Sequence, residues 1–119
     1  MVTIAVDFDG TLVHEDEQGF YHLMEGAKDA MDSLRAQGFK LVIHTCRTGI
    51  ATAEGRLAQE IAIIRQALEH FEIPFDEIYA GEKMVADFYI DDRCVPYTGN
   101  WTATAQEVVT QAANLDRSA

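Results

Sequence analysis

The run VTIAVDF at residues 2–8 is almost unbroken apolar sequence that turns acidic at its end, where Asp7 and Asp9 are followed by Gly10 and Thr11. Continuous rather than alternating apolar character marks a strand covered on both faces, the kind found inside parallel sheets. A parallel sheet needs crossover helices between its strands, and the remaining sequence supplies them. Ala27, Ala30, Met31 and Leu34 form a helix face that stops at Gly38. FKLVIHT at residues 39–45 reads as a second strand, followed by a loop at CRTG and a long helix over about 53–71. Leu57, Ile61, Ile64, Leu68 and Phe71 give that helix one apolar stripe, and Pro74 forbids its continuation. Residues 77–80 and 86–90 read as strands. A last helix over about 104–115 opens with Thr104 and Glu107 at capping-box spacing and buries Val108, Val109 and Ala112. Residues 13–24, of mixed polarity around Gly19, read as a loop or small hairpin.

This order, strands alternating with helices, specifies a three-layer α/β domain with parallel pairing. The 119 residues fit one domain, 1–119, with no linker or repeat. Nine Lys and Arg against 20 Asp and Glu leave a net charge of −11, which disfavours nucleic-acid backbones and anionic membranes as general partners. Two cysteines make no disulfide framework, and nothing at the N-terminus reads as a leader. The expected setting is the cytoplasm, with no membrane span.

In open α/β sheets ligands bind outside the carboxyl ends of the strands, where the strand order reverses. The acids concentrate there. Asp7 and Asp9 end the first strand, and Asp91-Asp92-Arg93 follow the last. Carboxylates gathered at buried strand ends repel one another and lose hydration, so they call for a cation. Mg²⁺ suits a few carboxylates, a carbonyl and retained waters, whereas no His or Cys pair has zinc spacing.

Asp7-Phe8-Asp9-Gly10-Thr11-Leu12 resembles the first signature of the haloacid dehalogenase superfamily, whose members are mostly phosphohydrolases. Three further signatures follow in that family's order: Leu41-Val42-Ile43-His44-Thr45, then Lys83, then Asp91-Asp92. The resemblance covers residues 2 to about 95. It implies a three-layer sandwich with a mainly parallel, Rossmann-like sheet, haloacid dehalogenase-like, and an Mg²⁺-dependent phosphatase acting on a phosphomonoester. Asp7 would be the nucleophile that forms an aspartyl phosphate, and Asp9 the acid and base. Asp7, the Asp9 carbonyl and one of Asp91 or Asp92, with Asp92 preferred, would hold Mg²⁺. Thr45 and Gly10 would meet the phosphoryl group, and Lys83 would neutralise it.

Arg47 has two readings, a fork onto phosphate or an exposed loop arginine. Arg93 reads as a structural partner for the acids, His44 as a core histidine, Cys46 and Cys94 as small buried residues, and Trp101 as packing for the last helix. His14 and His22 lie in the flap-like segment beside the site. Neither place where relatives insert a cap is long enough here for a separate core, so the resemblance is to a capless member. An open site takes a large substrate, or a small one enclosed by a neighbouring subunit, which leaves a homo-oligomer open. A small phosphorylated molecule is the first expectation. The alternatives are a nucleic-acid 3′-phosphate end, suggested by the Thr-x-Arg and Asp-Asp-Arg details, and a catalytically silent binding or regulatory module.

Overall fold

The computed structural model describes residues 2–81, 84, 86–96 and 98–118, without the side chains of Thr104 and of residues 115–118. Strands β1 (Thr3–Val6), β4 (Lys40–His44), β5 (Glu77–Tyr79) and β6 (Phe88–Ile90) form one sheet in the order β5-β4-β1-β6. Every pairing in it is parallel, with Ala5 opposite Val42 on one side and Tyr89 on the other. Strands β2 (Val13–Glu15) and β3 (Tyr21–Leu23) make a separate antiparallel hairpin, so the segment after the first acids is a hairpin rather than a loop. Asp16 forms its turn: one carboxylate oxygen accepts from the amides of Gln18 and Phe20, and Gly19 takes the left-handed conformation the turn requires.

The helices are α1 (Ala27–Ala36), α2 (Cys46–Ala53), α3 (Leu57–His70) and α4 (Trp101–Ser118). Together with the sheet they make a three-layer α/β sandwich with no cap domain among the described residues. Strand residues Ile4, Val6, Leu41, Ile43 and Ile78 share one core with Met31 of α1 and with Ile64, Ala67 and Leu68 of α3. The expected α3 stripe is therefore the buried face, and fully covering one such large side chain contributes about 1.5–3 kcal/mol. On the opposite face Ala5 and Val42 are buried with Met84, and Tyr79 and Ala86 pack against them. Both faces of β1 are covered, as its continuous apolar sequence requires.

Five expectations need correction. The CRTG segment is not a loop but the first turn of α2, because the Thr45 side chain accepts from the Arg47 amide and caps that helix. The long helix expected over 53–71 is broken by Gly55, whose positive φ ends α2 before α3 begins. The last helix starts three residues earlier than expected, at Trp101, where the Asn100 carboxamide accepts from the Ala103 amide. Thr104 thus lies inside that helix. Val108 and Val109 are 50% and 62% exposed and Ala112 is exposed too, so the face expected to be buried is open. Trp101, at 71% exposure, is not a core residue. No helix among the described residues is long and apolar enough to cross a membrane.

Candidate active site

The reversal of strand order lies between β1 and its two neighbours, β4 and β6. The chain places its acids at that point. Asp7 directly follows β1, and its amide donates to the Ile90 carbonyl at 2.9 Å, which holds the ends of β1 and β6 together. Asp91 and Asp92 follow β6. One carboxylate oxygen from each of Asp7, Asp91 and Asp92 lies within 4.8 Å of the others. Asp91 also accepts from the Arg93 amide at 2.8 Å, a local turn that fixes its direction.

Gly10 belongs to this arrangement in a different way from the one expected. It adopts φ +77°, and a Cβ at that position would lie 2.5 Å from Asp92 Oδ2. Glycine is there because Asp92 needs the space and the turn needs the left-handed backbone. Gly10 does not line the cleft beside Asp7.

That cleft, about 490 Å³, is lined by Asp7, Asp9, His44, Thr45, Cys46, Thr48, Gly49, Gly81, Asp91 and Arg93. Thr45 is buried at the end of β4. Its oxygen accepts from the Arg47 amide at 3.3 Å, which leaves the hydroxyl proton available for an acceptor in the cleft. Thr48, 1% exposed, donates to the carbonyls of Thr45 and Tyr79 and so locks the start of α2 onto β5. The amino end of α2 then faces the same space as the carboxylates, where its partial positive charge favours an anion.

Burial pushes the Asp7 carboxyl up to about 6. The negative charge of Asp91 adds to the rise, as do the hydrogen bond and charge of Asp92, while the Phe8 amide, donating at 2.9 Å, lowers it. Among the described residues no ion pair reaches Asp7, Asp91 or Asp92. The three-carboxylate set is hard and oxygen-only, without an ion-pair partner among the described residues, which fits Mg²⁺.

Asp9 stands apart from the trio. Its two oxygens accept from Arg47 Nε at 2.6 Å and Nη2 at 2.7 Å, a bidentate fork. Arg47 also donates to Tyr21 Oη, to Glu60 at 3.1 Å and to Glu15 at 3.3 Å. Its guanidinium carbon lies 5.6 Å from the centre of the Phe8 ring and 5.3 Å from that of Tyr21. Burial works against the guanidinium's charge, but the hydrogen bonds to Asp9 and Tyr21 outweigh it and raise its pKa further. Arg47 is thus neither an exposed loop arginine nor a wall of the cleft. The fork that one of its two readings gave to phosphate is closed on Asp9.

Other expectations change too. His44 is not an enclosed core residue: it is partly buried, sits edge-on to Tyr79 at 5.6 Å and lines the cleft. Its position just before Thr45 at a strand's carboxyl end was the available signal. Cys46 and Cys94 are exposed free thiols, and Cys46 also lines the cleft. The contact between Arg93 and the acids comes from its amide, while its side chain borders the cleft. His14 and His22 stack on the hairpin at 5.0 Å, outside the cleft lining. Lys83 lies outside the described residues.

No family model and no curated protein matches the chain. Among solved structures it is similar to a structural-genomics target from Vibrio cholerae, with 28% sequence identity and a TM-score of 0.58. The match covers 89% of this chain and 95% of the other. That likeness supports the fold and is silent on chemistry.

Proposed function

We propose that this chain is an Mg²⁺-dependent phosphomonoesterase of the haloacid dehalogenase-like type, with Asp7 as the nucleophile. The observation that carries this reading is the convergence of Asp7, Asp91 and Asp92 from two strand ends beside Thr45 and the amino end of α2. A carboxylate trio alone suits any hard cation. Two of the three, Asp7 and Asp91, share their cleft with a hydroxyl donor and a helix amino end, while Asp92 meets them from outside its lining, and that setting suits a cation together with a phosphate.

In this reading an Asp7 oxygen attacks phosphorus and the bond from phosphorus to the leaving oxygen breaks. Asp9, once it has taken up a proton from solvent, gives that proton to the leaving oxygen, and the products are an aspartyl phosphate and an alcohol. Asp9 then takes a proton from water as the water attacks phosphorus, which releases inorganic phosphate and restores Asp7. Thr45 donates its hydroxyl proton to a phosphoryl oxygen. Mg²⁺, held by Asp7, by Asp92 or Asp91 and by the Asp9 carbonyl, would supply charge neutralisation for the dianionic substrate. Lys83 is proposed to share that task.

A small phosphomonoester suits the site better than a nucleic-acid end. The net charge is −11, and the Thr-x-Arg detail that suggested a polynucleotide loses its force once Arg47 is engaged by Asp9, Glu15, Glu60 and Tyr21. Two exposed thiols suit a reducing compartment, and we read the protein as cytoplasmic. The deciding experiment is hydrolysis of p-nitrophenyl phosphate, sugar phosphates, nucleotides and 3′-phosphorylated oligonucleotides with Mg²⁺ and with EDTA. Release of phosphate from small esters that EDTA stops and Mg²⁺ restores is the expected result. A well-folded protein inactive on the whole panel would point instead to a binding module.

A further inference from the structure

We propose that Arg47 is a positioning residue that ties the β2–β3 hairpin to Asp9 and so aims the proton donor at the leaving oxygen. This inference rests on the phosphatase reading above. A guanidinium carries five N–H donors in a fixed plane. At Arg47 all five are used: Nε bonds Asp9, Nη1 bonds Tyr21 and Glu60, and Nη2 bonds Asp9 and Glu15. No donor is left for a substrate phosphate. Any contact with phosphate would first have to break one of these bonds in a partly buried setting where the side chain is only 19% exposed.

The five acceptors come from separate parts of the fold. Glu15 and Tyr21 belong to the two hairpin strands, Glu60 to α3 and Asp9 to the turn after β1. Glu60, with a side chain 9% exposed, is itself held by Arg56 at 2.8 Å, so one anchor of the cluster is fixed. The fork then sets the plane of the Asp9 carboxylate relative to the hairpin and α3. Asp9 still lines the cleft, whereas Arg47, Tyr21 and Glu15 do not. Arg47 therefore lies behind the acid, on the side away from substrate.

A fork and a point charge differ in what they can do here. Lysine keeps the positive charge but cannot grip both oxygens of Asp9 in one plane. If Arg47 only neutralised charge, lysine would restore its function. If it orients Asp9, lysine fails, and the failure appears where a proton must reach the leaving group.

The test compares p-nitrophenyl phosphate with phenyl phosphate, a good and a poor leaving group of nearly the same shape. Phosphorylation of Asp7 is read by rapid acid quench for the wild type, Arg47→Lys, Arg47→Ala and Tyr21→Phe, each with Mg²⁺. In both Arg47 variants the rate with phenyl phosphate should fall about tenfold or more relative to p-nitrophenyl phosphate, a fraction of what general acids contribute. KM should stay nearly constant for both. Tyr21→Phe keeps both ring contacts and removes one acceptor. It should show the same selectivity in smaller measure, and it keeps the proposal testable if the Arg47 variants do not fold. Equal losses on both substrates would overturn the positioning role, as would a KM rise that lysine repairs. An unchanged ratio in Tyr21→Phe beside a changed one in Arg47→Lys would remove the hairpin from the proposal. A wild type that hydrolyses neither ester would overturn the phosphatase reading itself, and this inference with it.

Discussion

Asp92 presses its Oδ2 into the space where any side chain on residue 10 would begin, 2.5 Å from a Cβ built on Gly10. The glycine of the first acidic motif and the second acid of the last strand are therefore one packing unit, although 82 positions separate them (92 − 10). Gly10→Ala should cost about 1–2 kcal/mol from the left-handed backbone alone. It should also push Asp92 out of the trio. Melting curves with and without Mg²⁺ check this: the apo melting temperature drops by several degrees and the metal-induced rise shrinks. An alanine variant that keeps the full Mg²⁺ response would separate Gly10 from the cation site.

Asp7→Asn and Asp9→Asn should fail in different ways. Without Asp7 no phosphoenzyme forms. Without the Asp9 carboxyl, p-nitrophenyl phosphate still phosphorylates Asp7, because its leaving group departs unprotonated, and the intermediate then accumulates for lack of a base. Mass spectrometry after a short acid-quenched pulse tells the two apart. An adduct on any residue other than Asp7 would refute the assignment.

The Asp7 carboxyl, at about 6 in the folded protein against 3.8 for an ordinary aspartate, makes stability depend on pH and metal together. Between these two values the native state holds more protons than the unfolded chain, so stability falls as pH rises through this window and stays low above it. Discounted for solvent screening, the cost at neutral pH is about 1–2 kcal/mol. Asp7→Asn should raise the apo melting temperature at pH 7.5, give little change near pH 4 and lose the Mg²⁺ response.

In the wild type, Mg²⁺ at about a hundredfold excess over Kd should add about 2.7 kcal/mol, a rise of roughly 5–10 °C. Its affinity should weaken as pH falls below about 6, because the cation then competes with a proton for Asp7. Asp92→Asn should flatten the metal response more than Asp91→Asn. The reverse order would make Asp91 the direct ligand.

Thr45 has two tasks that substitution can divide. Thr45→Ser keeps the cap of α2 and the hydroxyl donor, and should retain activity within about threefold. Thr45→Val loses both. It should lower stability by about 1 kcal/mol, the usual worth of an N-cap, and phosphatase turnover by more than tenfold. Thermal melts and steady-state rates on the same samples provide the check.

The sheet was legible because its signal is strong and local. The unbroken apolar run of β1, the FKLVIHT strand and the four-three spacing of α3 each specify one element without reference to the rest. The acids at the strand ends were legible for the same reason. Helix α2 was not, since CRTGIATA has modest helix propensity and a glycine within it, and the anchor of Thr48 on Tyr79 that supports it together with the Thr45 cap is a tertiary feature. Val108 and Val109 mark an apolar stripe, but periodicity cannot say whether another element reaches it. Arg47 was the hardest case. Its partners lie 13 to 38 positions away, and no spacing rule predicts that five acceptors will use up one guanidinium.

The pairing of the first strand with the last has a consequence for how the molecule comes into being. The Thr3 amide binds the Asp87 carboxylate 84 positions downstream, and the Asp7 amide waits for the Ile90 carbonyl. At roughly 5–20 residues per second, a ribosome takes about 4–17 s to span that distance. Until then the nascent chain carries Asp7 and Asp9 with no partner acids from the last strand, and the hairpin and α1 can settle on β1 and β4 before the acid cluster exists. Translation that stops short of Asp87 yields a chain with a partial core and no acid cluster, so the proposed divalent ion would reward only synthesis that has run past Asp92.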